Sequence, residues 1–236
     1  MGIEEIRQVA WVGDEFVRGK VRGVILTFHG LGGGHKGGPS TEDLAWADAG
    51  GLVVNPYYGP WSWMNRLARA FVDGLVEDVY AAFSLPAKAP LICVGGSMGG
   101  LSSLLYTRYA RRPVRACLAV CPVCDLKYHF SERPDLPATI RYAFRGYPED
   151  FDQVLAEHSP LQQVAHMPDI PYLIVHGVQD TAVSKAHHSD PMVAAMRKLA
   201  MNVIYREVAV MKHCSPTPLA VMQENIEFVE AALGAV

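Results

Sequence analysis

The 236-residue sequence contains no apolar run approaching the roughly 18 residues that cross a membrane as a helix, so no membrane association is expected. Positive charge is not in excess either. Twenty-one Lys and Arg stand against 24 Asp and Glu, and a net charge of −3 gives a polyanion nothing to steer toward. The paired basic residues Arg111-Arg112 precede Pro113 and read as a solvated helix end, so nucleic acid is not an expected partner. Cysteine is scarce and odd in number. Five residues make no disulfide framework, and Cys93 and Cys117 lie in apolar runs where a thiol acts as a small hydrophobe. Cys121-Pro122-Val123-Cys124 has the C-x-x-C form with His129 nearby, but no second pair completes a four-ligand zinc site. A redox dithiol of the thioredoxin type would open a helix early in its chain, which this pair does not. The opening Met1-Gly2-Ile3-Glu4-Glu5 lacks the basic and apolar regions of a secretory signal, and Ile6 stands where a myristoylation signal carries Ser or Thr. These absences, with reduced thiols, point to the cytoplasm. No repeat or low-complexity tract interrupts the chain.

Half of the residues are hydrophobic, enough for one large core, and a single α/β domain over residues 1–236 is expected. Strand patterns fall at Gly23 to Phe28, Leu52 to Asn55, Leu91 to Gly95, Arg115 to Val120, Pro171 to His176 and Asn202 to Val208. Helical patterns lie between them, notably Leu67 to Phe83, Met98 to Tyr109, Pro191 to Leu199 and Pro218 to Leu233. The alternation implies a mostly parallel sheet with helices on both faces. Arg7 to Val12 and Phe16 to Lys20 read as an opening antiparallel pair turned at Gly13-Asp14. Asp125 to Pro168 breaks the alternation with two or three short helical patterns among aromatics and prolines. An insertion after a strand's carboxyl end lies over the ligand crevice of such a sheet, so this segment is expected to form a small cap.

Chemistry enters at Gly95-Gly96-Ser97-Met98-Gly99, where an apolar strand meets a helical pattern. Such a G-x-S-x-G corner strains the serine and leaves its Oγ exposed above the sheet edge, although Gly-Gly-Ser alone also reads as an ordinary turn. Three further segments occur in the chain order this chemistry needs. Val24 to Phe28 runs into His29-Gly30-Leu31-Gly32-Gly33-Gly34, a low-bulk turn able to aim an N–H at an oxyanion. Tyr172 to Gly177 leaves Asp180 just beyond a strand end, and His213 sits in a turn before the last helix. The order Ser97, Asp180, His213 is that of the α/β-hydrolase triad.

With these residues the sequence resembles the α/β-hydrolase superfamily, and within it the catalytic domain of the prolyl oligopeptidase-like esterases and peptidases. The likeness runs from about Val24 to the C-terminus. It also rests on Val53-Val54-Asn55-Pro56-Tyr57-Tyr58-Gly59, on His158-Ser159-Pro160-Leu161, and on His176-Gly177-x-x-Asp180-x-x-Val183. The sequence departs from the family pattern at Pro60-Trp61-Ser62-Trp63, where a glycine-rich stretch is usual, and at Cys214, which replaces a Gly-Phe type pair after the histidine. Oligopeptidases of the resembling family generally carry a propeller domain; with about 22 residues before Gly23, none is expected here.

The expected function is hydrolysis of carboxylic esters by a serine hydrolase, with a peptidase on short peptides and a non-catalytic ligand-binding fold as alternatives. Ser97 is the nucleophile, His213 the base and Asp180 its orienting acid, while the backbone N–H groups of Leu31 and Met98 form the oxyanion hole. This chemistry draws on protein groups alone, so neither metal nor organic cofactor is expected, and the partner is a small ester or short peptide. Tyr128, Phe130, Tyr142, Phe144 and Tyr147 are candidates to line the substrate pocket from above, as are Trp61 and Trp63 from the earlier loop; the plainer reading is that these aromatics pack the insertion onto the core. His29 and His176 are expected to brace loops, and His187-His188 to lie on the solvated surface. A free peptide amine would need a facing carboxylate pair. The nearest acidic cluster, Glu149-Asp150 with Asp152, follows Pro148 as a solvent-facing helix start would, which favours short esters over aminoacyl amides.

Overall fold

A computed structural model describes residues 1–34 and 36–234. Seven strands form one sheet: β1 (Ala10–Val12), β2 (Gly23–Phe28), β3 (Gly51–Pro56), β4 (Leu91–Gly96), β5 (Ala116–Val120), β6 (Tyr172–Gly177) and β7 (Val203–Val208). Their spatial order is β1-β3-β2-β4-β5-β6-β7; β1 runs antiparallel to β3, and every other pairing is parallel. The central strands are apolar on both faces, as strands covered twice must be. Val24, Leu26, Val54, Cys93 and Ile174 enter one core, and their alternating neighbours Ile25, Val53, Ile92, Leu118 and Val175 enter the other. The larger core is closed by α1 (Ile3–Val9), α3 (Arg66–Ala82), α4 (Met98–Tyr109) and α9 (Ser189–Lys198). Trp46 of α2 (Thr41–Asp48) and Ile226, Val229 and Leu233 of α10 (Leu219–Gly234) close the smaller one. This is the α/β-hydrolase fold. Its order reverses at β2, which has β3 on one side and β4 on the other, so a crevice opens beyond the carboxyl ends of β2 and β4.

Two expectations about local structure are corrected. The opening antiparallel pair is not formed: residues 3–9 are helical, β1 is short and pairs with β3, and Asp14–Phe16 is a 3-10 turn. Burial at Ile3, Ile6 and Val9, with Arg7 bonded to Glu4 one turn back, satisfies a helical period there. The insertion carries four α-helices, α5 (Leu126–Glu132), α6 (Leu136–Ala143), α7 (Phe151–Glu157) and α8 (Pro160–Gln163), followed by a 3-10 turn. Helix α2 stood outside the principal sequence patterns. Its signal is a capping box, in which Ser40 Oγ accepts from Asp43 N–H and Asp43 accepts from Ser40 N–H.

Candidate active site

Ser97 sits between β4 and α4 with φ 59° and ψ −124°, a left-handed backbone that non-glycine residues rarely hold. Steric contact dictates the two glycines around it. A Cβ on Gly95 would overlap the Gly99 carbonyl, and one on Gly99 would overlap the Phe28 carbonyl at the end of β2. Helix α4 can therefore start hard against β2 and β4, and Ser97 is pinned by its own N–H donating to Val120 C=O (2.9 Å).

The loops after β6 and β7 bring in two more side chains. They are stitched by Val178 N–H to Val208 C=O (3.0 Å) and Gln179 N–H to Met211 C=O (3.1 Å). At Gly177 the approach is so close that a Cβ would overlap the Met211 carbonyl. His213 Nε2 lies 2.9 Å from Ser97 Oγ, and His213 Nδ1 lies 2.7 Å from Asp180 Oδ2. The Asp180 side chain is sealed from solvent, and its other oxygen accepts from Ala182 N–H (2.9 Å) and Val183 N–H (3.0 Å). His176, fully buried, also faces Asp180, with Nε2 3.3 Å from Oδ2. Its Nδ1 meets Ser189 Oγ (2.6 Å) and its Nε2 the Val183 carbonyl (3.1 Å), so the hydroxyl donates to Nδ1 and the ring proton resides on Nε2.

These contacts set the charges. Burial alone would push Asp180 up, but hydrogen bonds from His176, His213 and Val183 N–H hold it well below the ordinary carboxylate range. Burial pulls His213 down, yet its hydrogen bond to Asp180 and the nearness of Cys121 outweigh that and bring its pKa up to about 9. Nothing in the amino-acid order announces Cys121 near this histidine, because the two are joined only through the fold. Cys121 accepts a hydrogen bond from Cys214 N–H (3.3 Å), and contact with Cys214 and His213 lowers its pKa against the effect of burial. Cys124, its partner in the C-x-x-C pattern, is buried with Sγ directed at Pro122 C=O, and all five cysteines are unpaired thiols.

On the other side of Ser97, the turn after β2 is held to the loop after β3. Tyr58 OH donates to His29 C=O (2.7 Å) and stacks on the His29 ring at 4.2 Å, while Gly32 N–H donates to Pro60 C=O (2.8 Å). The N–H groups of Leu31 and Met98 donate to no other described residue. Leu31 and Ser97 border one cavity of about 480 Å³.

Of the pocket-lining candidates, Trp63 borders this cavity and sets its ring edge-on to His129 at 5.4 Å. Trp61 instead lines a second, aromatic groove with Tyr142 and Tyr147. Tyr128 stacks flat on His187 at 3.9 Å, and Phe130 packs on Phe151 at 5.3 Å with the Arg141 guanidinium over it, so both brace the insertion. His129 and Arg133, one turn apart on and just after α5, border the Ser97 cavity instead. The helical spacing at 129 and 133 was the available signal. His187 is exposed as expected, but His188 is fully buried, with Nδ1 accepting from Cys124 and Asp125 N–H, both at 3.1 Å. Of the acidic cluster, Glu149 pairs with Arg66, Asp150 caps α7 and Asp152 pairs with Lys127.

Residues 59–234 match the sequence model of the prolyl oligopeptidase family. The chain belongs to that family, one of serine hydrolases. No curated protein matches the chain by sequence. Among solved structures it is similar to a puromycin-hydrolyzing peptidase from Mycobacterium tuberculosis, at 20% identity and a TM-score of 0.73. An acylaminoacyl peptidase from Pyrococcus horikoshii superposes at 15% identity and a TM-score of 0.77. The matches cover 92% and 96% of this chain but 35% and 40% of those two. An S-formylglutathione hydrolase from Agrobacterium tumefaciens is matched over 91% of this chain and 86% of its own, at 15% identity and a TM-score of 0.67. At these identities the likeness is one of fold. No described helix is long and apolar enough to cross a membrane.

Proposed function

We propose that this protein hydrolyses small carboxylic esters through an acyl-enzyme formed on Ser97. The observation that carries the proposal is the unbroken chain from Ser97 Oγ through His213 to the sealed Asp180 carboxylate, at 2.9 and 2.7 Å, on a strained strand-to-helix corner. His213 Nε2 takes the hydroxyl proton as Oγ attacks the acyl carbonyl, and Asp180 stabilises the imidazolium so formed. The uncommitted N–H groups of Leu31 and Met98 receive the oxyanion. His213 then returns the proton to the departing alcohol, and water, activated by the same base, releases the acid. Segment 125–168 caps the cavity through α5.

Family membership favours a peptidase as the second reading. Against a free peptide amine stands the lining of the Ser97 cavity, where Arg133 and the histidines are groups able to carry positive charge and no described carboxylate takes part. The five unpaired thiols suit a reducing compartment such as the cytoplasm. Steady-state kinetics on matched ester and amide substrates test the proposal. Esters are expected to have the higher kcat/KM, and a higher value for aminoacyl amides would replace the esterase with a peptidase.

A further inference from the structure

The Ser97 cavity holds a second imidazole whose protonation can be deduced link by link. His188 Nδ1 accepts two backbone N–H groups, so its ring proton is on Nε2, which points at Glu132 Oε2 (3.0 Å). Glu132 also accepts Ser184 N–H (2.6 Å) and faces His129 Nδ1 (2.6 Å). Burial would raise Glu132, but these three donors hold it well below the ordinary carboxylate range, so it is ionised and can only accept. His129 must therefore carry its proton on Nδ1. That leaves a lone pair on Nε2. His129 is 2% exposed, and its Nε2 has no partner among the described residues. The atom is nevertheless not sealed in, and His129 borders the same cavity as Ser97.

Two alternatives for this cluster are disfavoured by the same geometry. The ligand atoms of His129, Glu132 and His188 lie within 4.8 Å of one another, a spacing a metal could use. A metal on His188 Nε2 would drive its proton onto Nδ1, against two backbone donors. An ammonium group on His129 Nε2 would share the cavity with Arg133, which among the described residues is engaged by Asp135 through Nε and Nη2. What suits a neutral imidazole acceptor beside a guanidinium is an uncharged donor. Burial, which lowers the His129 pKa, keeps the ring neutral.

We propose that His129 is a substrate-binding residue that takes a hydrogen bond from an uncharged donor, typified by a hydroxyl group, on the substrate held at Ser97. The proposal rests on Ser97 being the nucleophile. Glu132 and His188 are positioning residues that fix which nitrogen of His129 is free, as Asp180 does for His213.

The test compares para-nitrophenyl butyrate with its β-hydroxy and β-amino analogues, and butyl with hydroxybutyl esters, to place the hydroxyl on either side of the scissile bond. A hydroxylated ester is expected to exceed its parent in kcat/KM by on the order of tenfold in one of the two series. The amino analogue should fall below the parent. His129→Phe should abolish the hydroxyl preference and leave parent and hydroxylated esters equal. Nitrogen-15 NMR of the wild-type imidazoles provides a second readout: His129 should show a protonated Nδ1 and a bare Nε2, whose resonance moves on titration with free hydroxybutyrate. Equal rates in both series, a preference surviving His129→Phe, preference for the amine, or a protonated Nε2 would each overturn the proposal. If no ester is cleaved and no fluorophosphonate is taken up, the serine-hydrolase function fails separately. The hydroxybutyrate titration then decides the His129 site on its own: a shift supports it, and no shift overturns it.

Discussion

The two walls of the Ser97 cavity are built in different ways. One wall is backbone: β4, the corner and α4 meet so tightly that Gly95 and Gly99 admit no side chain, and the Leu31 and Met98 N–H groups stay uncommitted. The other wall, from α5, is a buried polar network in which Glu132 gathers His129 from its own helix together with the His188 ring and the Ser184 N–H, both more than 50 positions away. A backbone wall suits stabilisation of a fixed charge, since its donors cannot reorient during the reaction. A side-chain wall suits selection, since a single substitution changes what it accepts.

The largest separation between the walls should come from loss of the reacting groups. Ser97→Ala and His213→Ala should each lower kcat by about 10⁴ to 10⁶ while thermal melting stays near the wild-type value, because triad members act as a unit. Melting that collapses with activity would mean these residues hold the fold instead. Asp180→Asn should follow, at about 10⁴ in kcat, by presenting the wrong His213 tautomer. Near-normal turnover of this variant would argue that His176 or Cys121 orients the base.

Stability divides the walls differently. Gly99→Ala drives a Cβ into the Phe28 carbonyl and should cost on the order of 3 kcal/mol, read by denaturant unfolding. His188→Ala should cost about 2 kcal/mol, because it leaves two backbone N–H groups and one side of Glu132 unpaired. The neighbouring His187→Ala should stay within about 0.5 kcal/mol of wild type, its exposed ring only stacking on Tyr128. Equal effects at 187 and 188 would dissolve the buried network.

The subtlest expected effect is on pH dependence. His213 accepts a proton only when neutral, and its pKa is raised from 6.5 to about 9, so kcat/KM should climb with pH until the profile passes about 9. Cys121→Ser removes one of the contacts that raise it and should move this limb toward lower pH. An unmoved limb would show that Asp180 alone sets the basicity.

The contrast between the walls also explains what could be read from the amino-acid order. The six parallel strands, the corner at Ser97 and the positions of Asp180 and His213 are legible because apolar runs and obligatory glycines are local signals. His188 and His129 are not. Nothing near His188 in sequence announces that Cys124 and Asp125 will turn their N–H groups toward it, and Tyr128 and Phe130 were attractive as pocket residues only until α5 turned them away from the cavity. Helix α1 was obscured by β-branched residues whose helical spacing at positions 3, 6 and 9 outweighs them once buried.

Mapping the site of covalent labelling tests the central claim most directly. The intact protein, treated with a fluorophosphonate and digested, is expected to carry the phosphonyl group on the peptide containing Ser97, with labelling lost in Ser97→Ala and His213→Ala. An unlabelled protein, or a label on another serine such as Ser102 or Ser184, would contradict it.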